Sequence, residues 1–145
     1  MLILSNNKTM DFNIIGYQYP YHKPSCKEYD YDANWLICEM KYAEDDYSRV
    51  YRDACLLTYE LQELTIAMEK ILNKEEDAFI SEFMEPYLHI AIARAEEKVV
   101  FTIQYVYDTT DGKWKERTVS SVMDEETAMQ ALQELVALQK AYPER

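Results

Sequence analysis

Glycine is nearly missing from this chain, with two residues in 145. Loops that cradle phosphates need glycines for tight turns and close backbone approach, so nucleotide chemistry built on such a loop is excluded. Histidine is equally scarce: only His22 and His89 occur, and no nucleophile elbow, HExxH or P-loop accompanies them. His22, between Tyr21 and Lys23, reads as a loop residue, and His89 as a satisfied core or edge histidine. No catalytic group can be assembled from these parts, so the chain is not expected to be an enzyme. Cysteine is limited to Cys26, Cys38 and Cys55, an odd count without a CxxC pair. Cys38 and Cys55 fall in expected strands, where a thiol packs as a small hydrophobe, and Cys26 falls in a polar loop. The opening MLILSNNKTM has neither a charged n-region nor a sustained apolar core, and no apolar run approaches the roughly 20 residues that span a bilayer. A cytoplasmic protein with free thiols is expected.

Positive charge is also in short supply. Fifteen Lys and Arg face 27 Asp and Glu, for a formal net charge of -12. Phosphate backbones and anionic membranes are repelled by such a chain, and no basic cluster offsets this, so neither nucleic acid nor membrane is an expected partner. A basic partner is favoured, although the same acidity also serves solubility.

What the chain does contain is an ordinary core. Its 145 residues are 48% hydrophobic, including 13 tyrosines, and form one expected domain spanning residues 1–145. Phe12 and Ile14, then Tyr17 and Tyr19, suggest period-two strands with Gly16 as a bend or bulge. Pro20 and Pro24 bracket an exposed, tyrosine-rich loop. Leu36, Cys38, Met40 and Tyr42 then share one strand face, and the acidic tip AEDDYS turns the chain into an antiparallel partner strand. Thr58 reads as an N-cap with Glu60 in the first turn, and Leu61, Leu64, Met68, Ile71 and Leu72 recur at helical spacing.

After Pro86 a strand carries Leu88, Ile90 and Ile92 on one face and Tyr87, His89, Ala91, Ala93 and Ala95 on the other. The small residues of the second face leave room for a helix to pack closely. KVVFTIQYVYD alternates most clearly of all, Asp111-Gly112 signals a hairpin, and the polar return strand with Lys113, Lys115 and Arg117 reads as an edge. Asp124 caps a last helix whose buried stripe is Ala128, Ala131, Leu132, Leu135, Leu138 and Tyr142. The expected class is α+β, a mainly antiparallel β-sheet of about six to eight strands covered by two amphipathic α-helices.

Two acidic segments carry the candidate chemistry. Tyr29-Asp30-Tyr31-Asp32 sets two carboxylates two residues apart, but a hard cation takes about six oxygens and no EF-hand spacing or glycine turn accompanies the pair. No metal or other cofactor is expected; an Asx-turn or a contact with a Lys or Arg is the structural alternative. Glu44-Asp45-Asp46 is the densest acidic triplet, followed by Tyr47, and a solvated hairpin tip is its plain explanation.

YDYDANWL (Tyr29 to Leu36), ACLLTYELQEL (Ala54 to Leu64), FMEPYLHI (Phe83 to Ile90) and AYPER (Ala141 to Arg145) together resemble the WapI-type immunity proteins. In that family the third segment more often reads EPNLxF, and Gly112-Lys113-Trp114 stands where a Pro-Trp element is expected. The resemblance implies a small bacterial cytosolic antidote to the toxic domain of a WapA-like polymorphic toxin. Its partner would be a basic toxin domain, for example a nuclease, blocked sterically and approached by electrostatic steering. Candidate contacts are Tyr29, Asp30, Tyr31, Asp32, Glu44, Asp45, Asp46 and Tyr47, tyrosine being a favoured interface anchor. A small-ligand binding domain with a tyrosine-lined pocket is the alternative expectation.

Overall fold

The computed structural model describes residues 1–21 and 28–145; His22 and Cys26 lie outside them. Strands β1 (Leu2–Leu4), β2 (Lys8–Tyr17), β3 (Trp35–Glu44) and β4 (Tyr47–Leu57) pair antiparallel in chain order. Strands β5 (Ala78–Ile80), β6 (Leu88–Ala95), β7 (Lys98–Asp108) and β8 (Lys115–Met123) do the same in a second sheet. A short helix α1 (Tyr31–Asn34) leads into β3, α2 (Thr58–Leu72) links the sheets, and α3 (Glu125–Ala141) follows β8. The α+β class and antiparallel pairing agree with expectation, but the strands form two sheets, not one. The reason is α2: it carries the chain from β4, an edge of the first sheet, to β5, an edge of the second. Periodicity within strands says nothing of that transfer.

The expected alternation sets the core. Met10, Phe12 and Ile14 of β2, and Leu36, Cys38, Met40 and Tyr42 of β3, are buried, as are Val99, Phe101, Ile103 and Tyr105 of β7. These side chains join Leu61, Leu64 and Met68 of α2 and Ala128, Ala131 and Leu135 of α3 in one hydrophobic cluster. Truncating a fully buried member such as Leu64 to alanine costs about 2–5 kcal/mol. The β2–β3 register shifts between Ile14 and Gly16, where a bulge was expected. Asp45 and Asp46 make the turn between β3 and β4, Asp45 adopting φ 50. Gly112, at φ 69, supplies the left-handed conformation in the β7–β8 turn. Cys38 and Cys55 are free thiols in the core, and the hydrogen bond with the neighbouring Cys38 sulfur, followed by burial, pushes the Cys55 thiol well up.

Two local expectations are corrected. Thr58 is not the N-cap of α2: Leu57 holds that position with φ -91 and ψ 155, because β4 runs straight into the helix without a linker. Glu60 does the capping instead, its Oε2 accepting from the Leu57 N–H at 2.9 Å. The second correction is on β6, where Leu88, Ile90 and Ile92 face the core while His89, Ala93 and Ala95 are exposed. The alanine face is open, since the helices pack on the aliphatic one. Asp124 does cap α3, its Oδ1 accepting from Thr127 N at 2.8 Å.

Candidate functional site

The two acidic segments lie at opposite ends of β3. Ten residues in a strand at about 3.3 Å each put about 30 Å between them, so no single pocket collects both. The lead-in segment is not an exposed extended arm. Tyr29 is half-buried, its hydroxyl 3.2 Å from Thr58 Oγ1 and its ring edge-on to Tyr31 and Tyr59. Asp30 caps α1 by accepting from Ala33 N at 3.2 Å, the Asx-type role that competed with ligand binding in the sequence. Tyr31 and Asp32 are exposed, and a cleft of about 230 Å³ runs between Tyr19, Pro20, Asp30, Asp32 and Ala33.

Behind that cleft is Asn34, fully buried. Its Oδ1 accepts from Thr58 Oγ1 at 2.8 Å and from Arg145 N at 2.9 Å. Its Nδ2 donates to the Asp30 carbonyl at 2.7 Å and to the Arg145 main-chain oxygen at 2.9 Å. Every hydrogen-bonding capacity of the amide is used. Arg145 is held further by Nε to the Ala33 carbonyl and Nη2 to the Tyr19 carbonyl, both 2.9 Å, with its guanidinium 3.6 Å from the centre of the Tyr17 ring. Glu60, buried in α2, accepts through Oε1 from Met84 N at 2.6 Å as well as from Leu57. Burial outweighs these two donors, and the Glu60 carboxyl lies above its ordinary value. The segments containing Asn34, Thr58 and Glu60, Met84, and Arg145 are thus tied into one buried polar frame.

At the other end of β3, Glu44 accepts from the Tyr42 hydroxyl at 2.5 Å. Burial first, and then this carboxylate, push the Tyr42 phenol up to about 12. Asp45 and Asp46 are exposed at the tip and join no ion pair among the described residues. Tyr47 belongs to a cluster not anticipated from the sequence. The Arg117 guanidinium of β8 lies 4.9 Å from the Tyr42 ring, 5.0 Å from Tyr47 and 4.6 Å from Tyr107. It also donates to the Tyr47 hydroxyl at 2.9 Å and the Tyr51 hydroxyl at 3.3 Å. Arg117 was expected only to guard an edge. β8 is an edge, but this side chain reaches the tyrosines of the other sheet.

Beside that cluster, where the end of β7 faces β4, a groove of about 160 Å³ is lined by Asp53, Tyr87, Tyr105, Tyr107 and Asp108. The Tyr105 hydroxyl donates to Asp53 Oδ2 at 3.2 Å, and Tyr51 stacks on Tyr107 with ring centres 5.3 Å apart. The sequence signal for this groove was present but unused: the buried face of β7 ends in two tyrosines whose polar tips need a wet exit. Its volume is below the roughly 300–1,000 Å³ of small-molecule sites. Among the described residues no group of three His, Cys, Asp or Glu is placed to hold a metal ion. No helix there is long and apolar enough to cross a membrane.

No curated protein matches this chain. In fold it is similar to a solved structure, WHY3 from Arabidopsis thaliana, with a TM-score of 0.50 and 7% identity, over 98% of this chain and 86% of that one. The family described as Immunity protein WapI-like matches residues 1–143. That span takes in both sheets, all three helices and nearly all of the buried polar frame, and the chain therefore belongs to the WapI-like immunity protein family.

Proposed function

We propose that this chain is a cytoplasmic immunity protein that binds a basic toxin domain, such as a nuclease, and neutralises it without chemistry of its own. Family membership over residues 1–143 carries this reading. The net charge of -12 supports its electrostatic part. A domain that cuts nucleic acid must present a basic, phosphate-binding face, and an acidic protein is steered to that face and covers it. Asp32, Asp45, Asp46 and Tyr31 are the members of the two candidate segments most open for such contact, whereas Asp30 and Glu44 are engaged within the fold.

The test is neutralisation by the intact chain. Co-expression with the toxin domain encoded beside it should rescue growth and yield a complex that survives size-exclusion chromatography. Full sensitivity of cells making the folded chain, with no complex formed, refutes the proposal.

A further inference from the structure

We infer that the groove between β4 and β7, lined by Asp53, Tyr87, Tyr105, Tyr107 and Asp108, receives an arginine side chain of the partner protein. This rests on the immunity reading for the identity of the partner, but the chemistry of the groove is argued separately. At about 160 Å³ it has room for one long side chain and not for a folded element or a metabolite. Three tyrosines line it beside Val106 and Thr109, and its two charged lining groups are both carboxylates. That pairing of π-surface and carboxylate suits a planar guanidinium, which stacks on the ring while its N–H fork engages the oxygens.

The molecule contains its own precedent one side chain away. Arg117 rests against three tyrosine rings, sharing Tyr107 with the groove, and forms no ion pair among the described residues. The tyrosine array is therefore able to hold a guanidinium on ring faces and hydroxyls alone. The groove offers the same ring type plus charge. Among the described residues Asp53 accepts only from the neutral Tyr105 hydroxyl, while Asp108 accepts through Oδ1 from the Thr110 N–H and hydroxyl and is paired through Oδ2 only with the half-exposed Lys115, at 3.7 Å. Next along β4, a depression of about 430 Å³ lined by Asp53, Arg52 and Glu85 continues the surface, its Arg52 already paired with Glu39 at 2.7 Å.

Two measurements test the inference. In the first, n-butylguanidinium is titrated into the wild-type chain with the tyrosine ring resonances followed by NMR, and n-butylurea serves as the neutral isostere. Saturable shifts at Tyr87, Tyr105 and Tyr107 with the cation alone are expected; no shifts, or equal shifts with the urea, overturn it. In the second, the Asp53→Asn and Asp108→Asn double variant is measured against the toxin domain encoded beside this chain. A control of equal charge change, Glu125→Gln with Glu126→Gln at the start of α3, is measured alongside. The groove variant should raise Kd at least tenfold and the control no more than about twofold, with both folded by circular dichroism. Wild-type affinity in the groove variant overturns the groove while the immunity reading stands. Absence of any wild-type complex, with butylguanidinium still titrating, overturns the immunity reading and leaves a cation site.

Discussion

Replacing Asn34 with alanine should cost this protein more stability than almost any other single polar change. The amide is fully buried and makes four hydrogen bonds, to Thr58, to the Asp30 carbonyl and twice to Arg145. At about 1 kcal/mol net for each, the upper figure is about 4 kcal/mol. The two groups on Arg145 belong to a residue that is only half-buried and can turn to water, which sets a lower figure of about 2 kcal/mol. At about 2–4 °C per kcal/mol for a protein near this size, the melting midpoint should fall by about 4–16 °C. Urea unfolding followed by far-ultraviolet circular dichroism and by tryptophan fluorescence gives the free energy directly, with an unchanged m-value expected. Combining Asn34→Ala with Thr58→Val should cost less than the sum of the single changes, because the two remove one shared bond. A loss below about 1 kcal/mol for Asn34→Ala, or strict additivity with Thr58→Val, would refute the view that Asn34 joins these segments.

Other consequences follow from the same geometry. Glu60→Gln presents an N–H₂ to one of two backbone donors and should cost about 1–3 kcal/mol. Because burial raises the Glu60 carboxyl in the folded state, its contribution is full below the ordinary value of 4.5 and is lost as pH rises above it. The stability advantage of wild type over Glu60→Gln should therefore shrink between pH 4.5 and the raised value, and an advantage that grows with pH counts against the assignment. Tyr42, pushed from 10.0 to about 12 by burial and by Glu44, stabilises the fold below pH 10 and ceases to do so as pH rises towards 12. Glu44→Gln should lower the Tyr42 titration midpoint, read from phenolate absorbance, yet leave it above 10.0 because burial remains. Finally, association with the toxin domain should slow steeply as the Debye length contracts from about 30 Å at low salt to about 8 Å at physiological salt; a flat response would point to an apolar interface.

Strand and helix identities were legible because each rests on spacing within a few residues. Leu61, Leu64, Met68 and Ile71 announce α2, and Val99, Phe101, Ile103 and Tyr105 announce β7. What spacing cannot convey is which distant side chains meet. Arg117 lies 70 positions from Tyr47, and Asp53 lies 52 from Tyr105, so the tyrosine cluster and its groove exist only after two sheets have been brought together. The division into two sheets was hidden for the same reason. Asp30 and Glu44 show the same limit: as charges in sequence they look available, yet one accepts from a backbone N–H and the other from a buried phenol hydroxyl.

That difference bears on how 27 acidic residues can serve recognition unequally. The carboxylates of Asp45 and Asp46 stand at an exposed turn in high-dielectric surroundings, where pairing with a cation gains at most about 1 kcal/mol and fades with salt. Such groups act mainly on the rate of approach. Asp53 and Asp108 line a groove with Tyr87, Tyr105 and Tyr107, and an arginine that filled it would displace water and pair at lower effective dielectric than at the tip. Removing tip charges should accordingly slow association with little change in dissociation, and removing groove charges should speed dissociation. Within the segments carrying the family resemblance, Asn34, Glu60 and Arg145 are committed to the frame, while Tyr31, Asp32 and Tyr87 stay open at its surface. A frame saturated by internal hydrogen bonds leaves its surrounding surfaces free to differ in charge and shape without loss of the fold.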